Sequence, residues 1–406
     1  MSIAEKGVKV AVPKLRFPEF RGAPVWVVEN LSDVAEFINE KISISKLQPS
    51  DYVSTENLLP GYGEVELASR LPTVSSVTRF KRSDVLISNI RPYLKKVWRA
   101  DWDGGASNDV VVLRAKPSLS AKFFSLVVRN DAFIAYVMGS ARGVKMPRGD
   151  VAAMRDYAVA YPKPAEQQKV AECLTSLDEL TAAQGQKVEA LKAHKRGLFQ
   201  QLFPREGESR PRLRFPEFRN AGEWAGKPLG DVATFHNGRA YAKDELLERG
   251  KYQVVRVGNF FTNDHWYYSD LELGDSKYCD EGDLLYAWSA SFGPRIWHGR
   301  RAIYHYHLWK VVESVGIARD FLFYRLISET ERMKDQAANG IGMFHITKGT
   351  IENWISSFPE IAEQHRIASC LSSLDSQITE ETAQLAALKT HKQGLMQQLF
   401  PAQGAG

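Results

Sequence analysis

Two acidic clusters, Asp101-x-Asp103 and Asp280-Glu281-Gly282-Asp283, are the groups in this chain that could hold a divalent cation against a phosphodiester and support its hydrolysis. Both also suit tight turns, where aspartate accepts from nearby backbone amides. The pair His305-x-His307 would face one side of a strand. Neither it nor His265, His298 and His345 has a cysteine or carboxylate at metal-ligand spacing, so no metal site is expected. The nearest string to a phosphate loop, Thr347-Lys348-Gly349-Thr350, lacks the required spacing. A glycine-rich cofactor loop and an Asn/Asp-Pro-Pro-aromatic motif are also missing from the sequence. Catalytic residues and cofactors are therefore not expected, with a nuclease built on an acidic cluster as the enzymatic alternative.

Cations offer a different chemistry, the neutralisation of phosphate, which needs only a handful of well-placed side chains. The net charge is +5, yet Lys and Arg exceed Asp and Glu by only three over residues 24–161 and fall short by two over 224–361. Local clusters therefore matter more than the sum. Arg79, Lys81 and Arg82 form one, and each such cluster taken alone reads first as a solvated face. Candidate phosphate or base contacts are Arg91, Lys95, Lys96, Arg142, Lys145 and Arg148, then Arg239, Tyr241, Arg295, Arg300, Arg301, His345 and Lys348.

The elements that position these residues are written twice. Pro13 to Ala23 returns 198 residues later as Pro211 to Ala221 with nine of eleven positions identical, and Ala165 to Pro204 returns 197 residues later as Ala362 to Pro401 with 21 of 40 identical. The segments between the copies do not match one another. One scaffold thus carries two different inserts, which implies an asymmetric two-part target. The expected organisation is an opening repeat (1–23), a first insert (24–161), a long helix (162–204), a linker with the second opening repeat (205–223), a second insert (224–358), a second helix (359–401) and a tail (402–406).

In the first long segment apolar or small residues fall at Val170, Leu174, Leu177, Thr181, Val188, Leu191, Leu198 and Leu202, interrupted by Gln184 and Lys195. The second repeats this at Ile367, Leu371, Leu374, Ile378, Leu385, Leu388, Leu395 and Leu399, interrupted by Glu381 and Lys392. The alternating spacing of four and three predicts amphipathic helices with a coiled-coil seam, bounded by prolines. Each seam needs a partner, and the other copy supplies one if the halves are related by an approximate two-fold axis and the helices run antiparallel. The matched Gly197 and Gly394 point to a close helix crossing or a partner surface. The inserts read as mixed: strands at Asp84–Asn89, Val110–Leu113, Tyr252–Val257, Asp283–Trp288 and Tyr304–Val312, then helices near Ala121–Met138 and Arg319–Lys334. Their shared order suggests one fold that has diverged in its loops.

The class is therefore α+β: two mixed α/β domains joined by two long helices forming an antiparallel coiled coil, a tandem repeat with pseudo-two-fold symmetry. At 406 residues, 44% hydrophobic and 25% charged, the chain is large enough for two cores. The three cysteines, Cys173, Cys279 and Cys370, are too few and scattered for a disulfide framework and point to a reducing compartment. Cys173 and Cys370 are expected to be buried in their helices. No apolar run is long enough to span a bilayer and the N-terminus lacks a signal-peptide core, so a cytoplasmic location is expected.

This layout resembles the specificity subunit of type I restriction–modification systems. The features that carry it are LRFPEF before each insert, Leu229-Gly230-Asp231-Val232-Ala233, the text from Asp84 to Leu94, Ala165-Glu166-Gln167-Gln168 with Ala362-Glu363-Gln364, the Leu-Asp pairs 177/178 and 374/375, and the two closing QQLFP runs. The resemblance implies two target recognition domains on double-stranded DNA, no catalysis, two methyltransferase subunits as partners and motor-nuclease subunits in the full complex. A specificity subunit of a combined restriction–methylation enzyme that cuts on both sides of its site would share the architecture. A coiled-coil scaffold without nucleic acid is the remaining alternative.

Overall fold

The computed structural model describes residues 10–261, 264–289, 291–338 and 346–401. The chain forms two compact units: residues up to Gly185 together with those from Ala383 onward, and Gln186–Thr382. Each unit thus takes the first half of one long helix, Pro164–Leu202 or Ile361–Leu399, and the last turns of the other.

Inside each unit the apolar runs become central strands. Val85–Ser88 lies between Val110–Ala115 and Val97–Arg99, with Ala35–Phe37 at the edge. Leu284–Ala287 lies likewise between Leu308–Glu313 and Gly293–Ile296, with Ala233–Asn237 at the edge. Side chains alternate across such a strand, so Val85 and Ile87 enter one core while Leu86 enters another with Phe80 and Trp98. Leu284 and Tyr286 face one cluster, Leu285 and Ala287 the opposite one. A strand buried on both faces reads as an unbroken apolar run, which is why these segments stood out.

A second sheet in each unit shares a three-stranded centre. In the first unit Ser76–Phe80 runs antiparallel to Gly104–Ala106, which runs parallel to Tyr52–Val53. In the second, Tyr278–Cys279, Ala302–Tyr304 and Tyr252–Val255 repeat that order and sense. The fourth strand is added on opposite edges: Lys41–Ser43 beside Ser76–Phe80, but Tyr267–Ser269 beside Tyr252–Val255. The inserts share the first sheet and this three-stranded centre despite their unrelated text, and differ in where the fourth strand is added.

Three expected elements break. Ala121–Met138 becomes two helices, Ala121–Val128 and Asp131–Gly139, because the Asn130 side chain accepts from the Ala132 amide and starts a new helix. Tyr252–Val257 ends as a strand at Val255, and Val257–Phe261 is helical. Tyr304–Val312 is interrupted at His305–His307, where the chain steps from one sheet to the next through Leu308 N donating to His305 O (2.9 Å). Gly238 passes so close to this step that a Cβ would stand 2.3 Å from His305 O.

The repeated text is the clamp that holds each insert. Arg16 donates to both carboxylate oxygens of Glu166 (2.7 and 2.6 Å) and to Ala23 O and Pro24 O. Arg214 repeats this with Glu363 (2.7 and 2.6 Å), Ala221 O and Gly222 O. Lys169 pairs with Glu19 (3.2 Å) and Arg366 with Glu217 (3.0 Å). The next residue of each helix grips its insert through main-chain groups. Gln167 accepts from Ser120 N and donates to Ser118 O and Pro162 O, while Gln364 accepts from Ala318 N and donates to Gly316 O and Pro359 O.

Every seam position of both helices, the interruptions included, is buried or half-buried. In the second unit Lys187 pairs with Glu381 (2.6 Å) and Lys195 with Asp375, positions that rise along one helix and fall along the other, so these segments are antiparallel. In the first unit Asp178 pairs with Lys392, the repeat equivalent of the Lys195–Asp375 pair. The closing run of each helix plugs a core. Leu399 and Phe400 pack among Trp26, Phe123 and Leu174; Leu202 and Phe203 pack among Trp224, Phe321 and Leu371. One expectation fails here, and one of the two readings of the matched glycines is excluded. Gly197 and Gly394 have no atom within 4 Å of where a Cβ would stand, which excludes a close helix crossing at either. Cys173 and Cys370 are half-buried rather than buried, because they flank the seam instead of lying in it.

Candidate nucleic-acid interface

One corner recurs in both units. It forms where the two parallel strands of the second sheet end, beside the hairpin of the first sheet. In the first unit Ser107 N donates to Val53 O (2.9 Å), Asn89 N to Asp109 O (2.8 Å) and Gly149 N to Asn89 O (3.1 Å). In the second, His305 N donates to Val255 O (2.9 Å), Trp288 N to His307 O (3.2 Å) and Ile346 N to Trp288 O (3.4 Å). The backbone frame is the same. The side chains are not.

The first corner is cationic. Arg91 and Lys95 bracket a turn at the hairpin tip, both in the left-handed region (φ 51° and 54°), which costs a residue with a Cβ and persists only where the surroundings enforce it. Arg91 N donates to Pro147 O (2.8 Å), and Arg142 and Arg148 bridge each other through their main chains. The loop carrying Arg142, Lys145 and Arg148 is thereby held against the tip carrying Arg91. Lys95 pairs with Asp131 (2.8 Å), Arg142 with Asp150 (3.2 Å) and Arg148 with Asp109 (2.8 Å), while Lys96 donates to Thr55 O (2.6 Å). The Arg142 and Arg148 side chains are 87% and 57% exposed. Exposed pairs of this kind are worth about 0–1 kcal/mol, so a phosphate could replace the carboxylate at little cost. Lys145 is exposed.

The second corner is aromatic and histidine-rich. Arg256, Val257, Gly258, Asn259, His265, Tyr267, His305 and His307 line a pocket of about 340 Å³. The Arg256 guanidinium lies over the Tyr267 ring at 5.0 Å, and the His305 and His307 rings are 4.9 Å apart. The His305–His307 pair thus shares a site although neither residue is on a strand. Among the described residues no three His, Cys, Asp or Glu could hold a metal. Burial first, then His307 and Arg256, push the His305 pKa down to about 4. The unfolded chain, with an ordinary value of about 6.5, takes up this proton before the folded one. The stability contributed by neutral His305 is therefore complete above about pH 6.5 and is lost as the pH falls toward 4. His305→Asn should flatten the fall of Tm between pH 7 and 4.5 relative to the parent; parallel Tm curves would contradict this.

The cations proposed from sequence for the second insert are mostly ion-paired, as those of the first corner are. Arg239 is paired with Glu245 (2.6 Å), Arg301 with Asp275 and Asp280, and Lys348 with Glu352 (3.4 Å). Arg295 lies over the Phe261 ring, Arg300 is exposed, and the Tyr241 hydroxyl is buried. His345 lies outside the described residues. Arg256 was missed by sequence reasoning; the signal was its place immediately after the strand YQVV, in a turn where its amide donates to the Asn259 side chain (3.0 Å). The Asp280 cluster is a turn, where Asp280 N donates to Asp283 Oδ2, and Asp103 Oδ1 accepts from Arg82 N, 21 positions away.

The duplicated clamp presents the same corner twice, with unlike side chains. Residues 221–390 match the family model of the type I restriction modification DNA specificity domain. Over 95% of both chains it is 22% identical to the type I restriction enzyme MjaVIII specificity subunit of Methanocaldococcus jannaschii. Its fold is shared with the type I restriction–modification S subunit from M. genitalium, at TM-score 0.61 and 14% identity over 96% of this chain and 99% of that one. A second structure, described as the basis of complex assembly and conformational transition of the type I R-M system, matches at TM-score 0.60 and 19% identity over 93% and 98%. No helix among the described residues is long and apolar enough to cross a membrane.

Proposed function

We propose that the chain is the non-catalytic DNA-recognition subunit of a type I restriction–modification complex. It reads an asymmetric bipartite target in double-stranded DNA, residues 24–161 taking one half-site and 224–358 the other. The helices of 162–204 and 359–401 form a pseudo-two-fold antiparallel coiled coil that sets the gap. Two methyltransferase subunits dock on the scaffold, and motor-nuclease subunits join the full complex.

The observation that carries this reading is the recurring corner: one backbone frame, cationic in the first unit and aromatic in the second. Proteins position themselves through phosphates and specify through base edges, so unlike side chains on like frames read unlike sequences. The two-partner part rests on text that is repeated although exposed. His194 and His391, Gln200 and Gln397, and Gln201 and Gln398 are matched and solvent-facing, and no internal packing explains their identity. A single type of partner bound twice does.

Methylome sequencing of cells carrying the chain with its methyltransferase tests the reading. One modified motif with two unlike halves and a fixed gap is expected. Replacing 224–358 by the second insert of another system should change one half and leave the other intact. A continuous motif, or both halves altered by the swap, would contradict the assignment of one reader to each half-site.

A further inference from the structure

The pocket of the second unit contains a cation that no carboxylate neutralises. Arg256 makes no ion pair among the described residues, whereas Arg239, Arg301 and Lys348 of the same insert all do. Among the described residues the lining holds no acid, and His265, His305 and His307 supply imidazoles rather than negative charge. Arg256 is held on both sides: its ring neighbour Tyr267 supports the guanidinium face, and the Asn259 side chain accepts from its amide. A half-buried guanidinium on an aromatic face, beside imidazoles that can donate hydrogen bonds, is suited to a tetrahedral monoanion.

Building on the DNA-recognition reading above, we propose that this pocket is a phosphate clamp of the second reader: it seats one backbone phosphodiester of the DNA, with Arg256 as the charge and His305 and His307 as hydrogen-bond donors. The clamp fixes register and does not read bases. The two readers then differ in how they hold the backbone: the first exchanges surface carboxylates for phosphate, and the second offers a preformed seat.

The test uses the full chain and a labelled duplex carrying the motif found by methylome sequencing, with affinity measured by anisotropy over a range of salt. Arg256→Gln should weaken binding about tenfold, lower the slope of log K against log salt by about one, and leave base preference unchanged. A single neutral methylphosphonate walked through the second half-site should show one position where the parent loses about tenfold and Arg256→Gln loses nothing further. Arg256→Lys, which keeps the charge, should retain the slope, and it carries the comparison if the glutamine variant does not fold. An unchanged slope, an altered base preference, or additivity at every methylphosphonate position overturns the clamp. So does inorganic phosphate that raises the parent's Tm, but not that of Arg256→Gln, while DNA affinities stay equal. A parent chain that binds no duplex overturns DNA recognition itself, and the clamp with it.

Discussion

A chain ended after Pro204 should be recovered only as a dimer, and with its methyltransferase should modify a symmetric site built twice from the first half-site. The reason lies in the plugs. The first core is closed by Met396, Leu399 and Phe400, with the Phe400 ring 6.2 Å from Trp26 and 5.5 Å from Phe123. Residues 1–204 alone lack these side chains but end in their repeat equivalents, Leu202 and Phe203. A monomer would leave the core open, at a cost of about 2–5 kcal/mol for each large side chain missing. In a dimer each copy receives the other's plug, and Asp178 meets the partner's Lys195 in place of Lys392. Light scattering decides the first part and methylome sequencing the second. A stable monomeric half-chain would show that the plugs are dispensable.

Removing Arg16 should be nearly as damaging to the full chain. Glu166 is 3% exposed, and among the described residues only Arg16 and Trp26 Nε1 (3.2 Å) donate to its side chain. Arg16→Ala strands a buried carboxylate, a loss of about 3–5 kcal/mol. The double variant Arg16→Met, Glu166→Leu should recover much of that loss, because removing both charges removes the uncompensated one. Urea unfolding separates these outcomes. A single variant within about 1 kcal/mol of the parent would mean that water reaches Glu166 and the clamp is weaker than its geometry implies.

The scaffold was legible in the sequence because it is local or repeated. The seam from Val170 to Leu202 follows from the spacing of residues on one helix, and the LRFPEF segment stands out because it occurs twice. What the clamp does was not legible: Arg16 and Glu166 are 150 positions apart, and nothing in either segment names the other. The reading corner was harder still. Arg256 and His305 meet only because two strands far apart in sequence end side by side. The pairing of Arg239 with Glu245 and of Lys348 with Glu352 shows only once the turn and helix that join them are formed. His305 and His307 were paired correctly but on the wrong element, since a step between sheets leaves no periodic mark.

The main-chain grip of Gln167 and Gln364 bears on how such a gene can change. Both glutamines hold their inserts through the carbonyls of Ser118 and Gly316 and the amides of Ser120 and Ala318, groups that any sequence supplies. Each insert is also flanked by stretches of amino-acid sequence that occur twice. An insert exchanged between those stretches arrives already compatible with the glutamine that must hold it. A lineage can therefore acquire a new specificity in one genetic event, by shuffling a whole reader rather than by accumulating point changes through inactive intermediates.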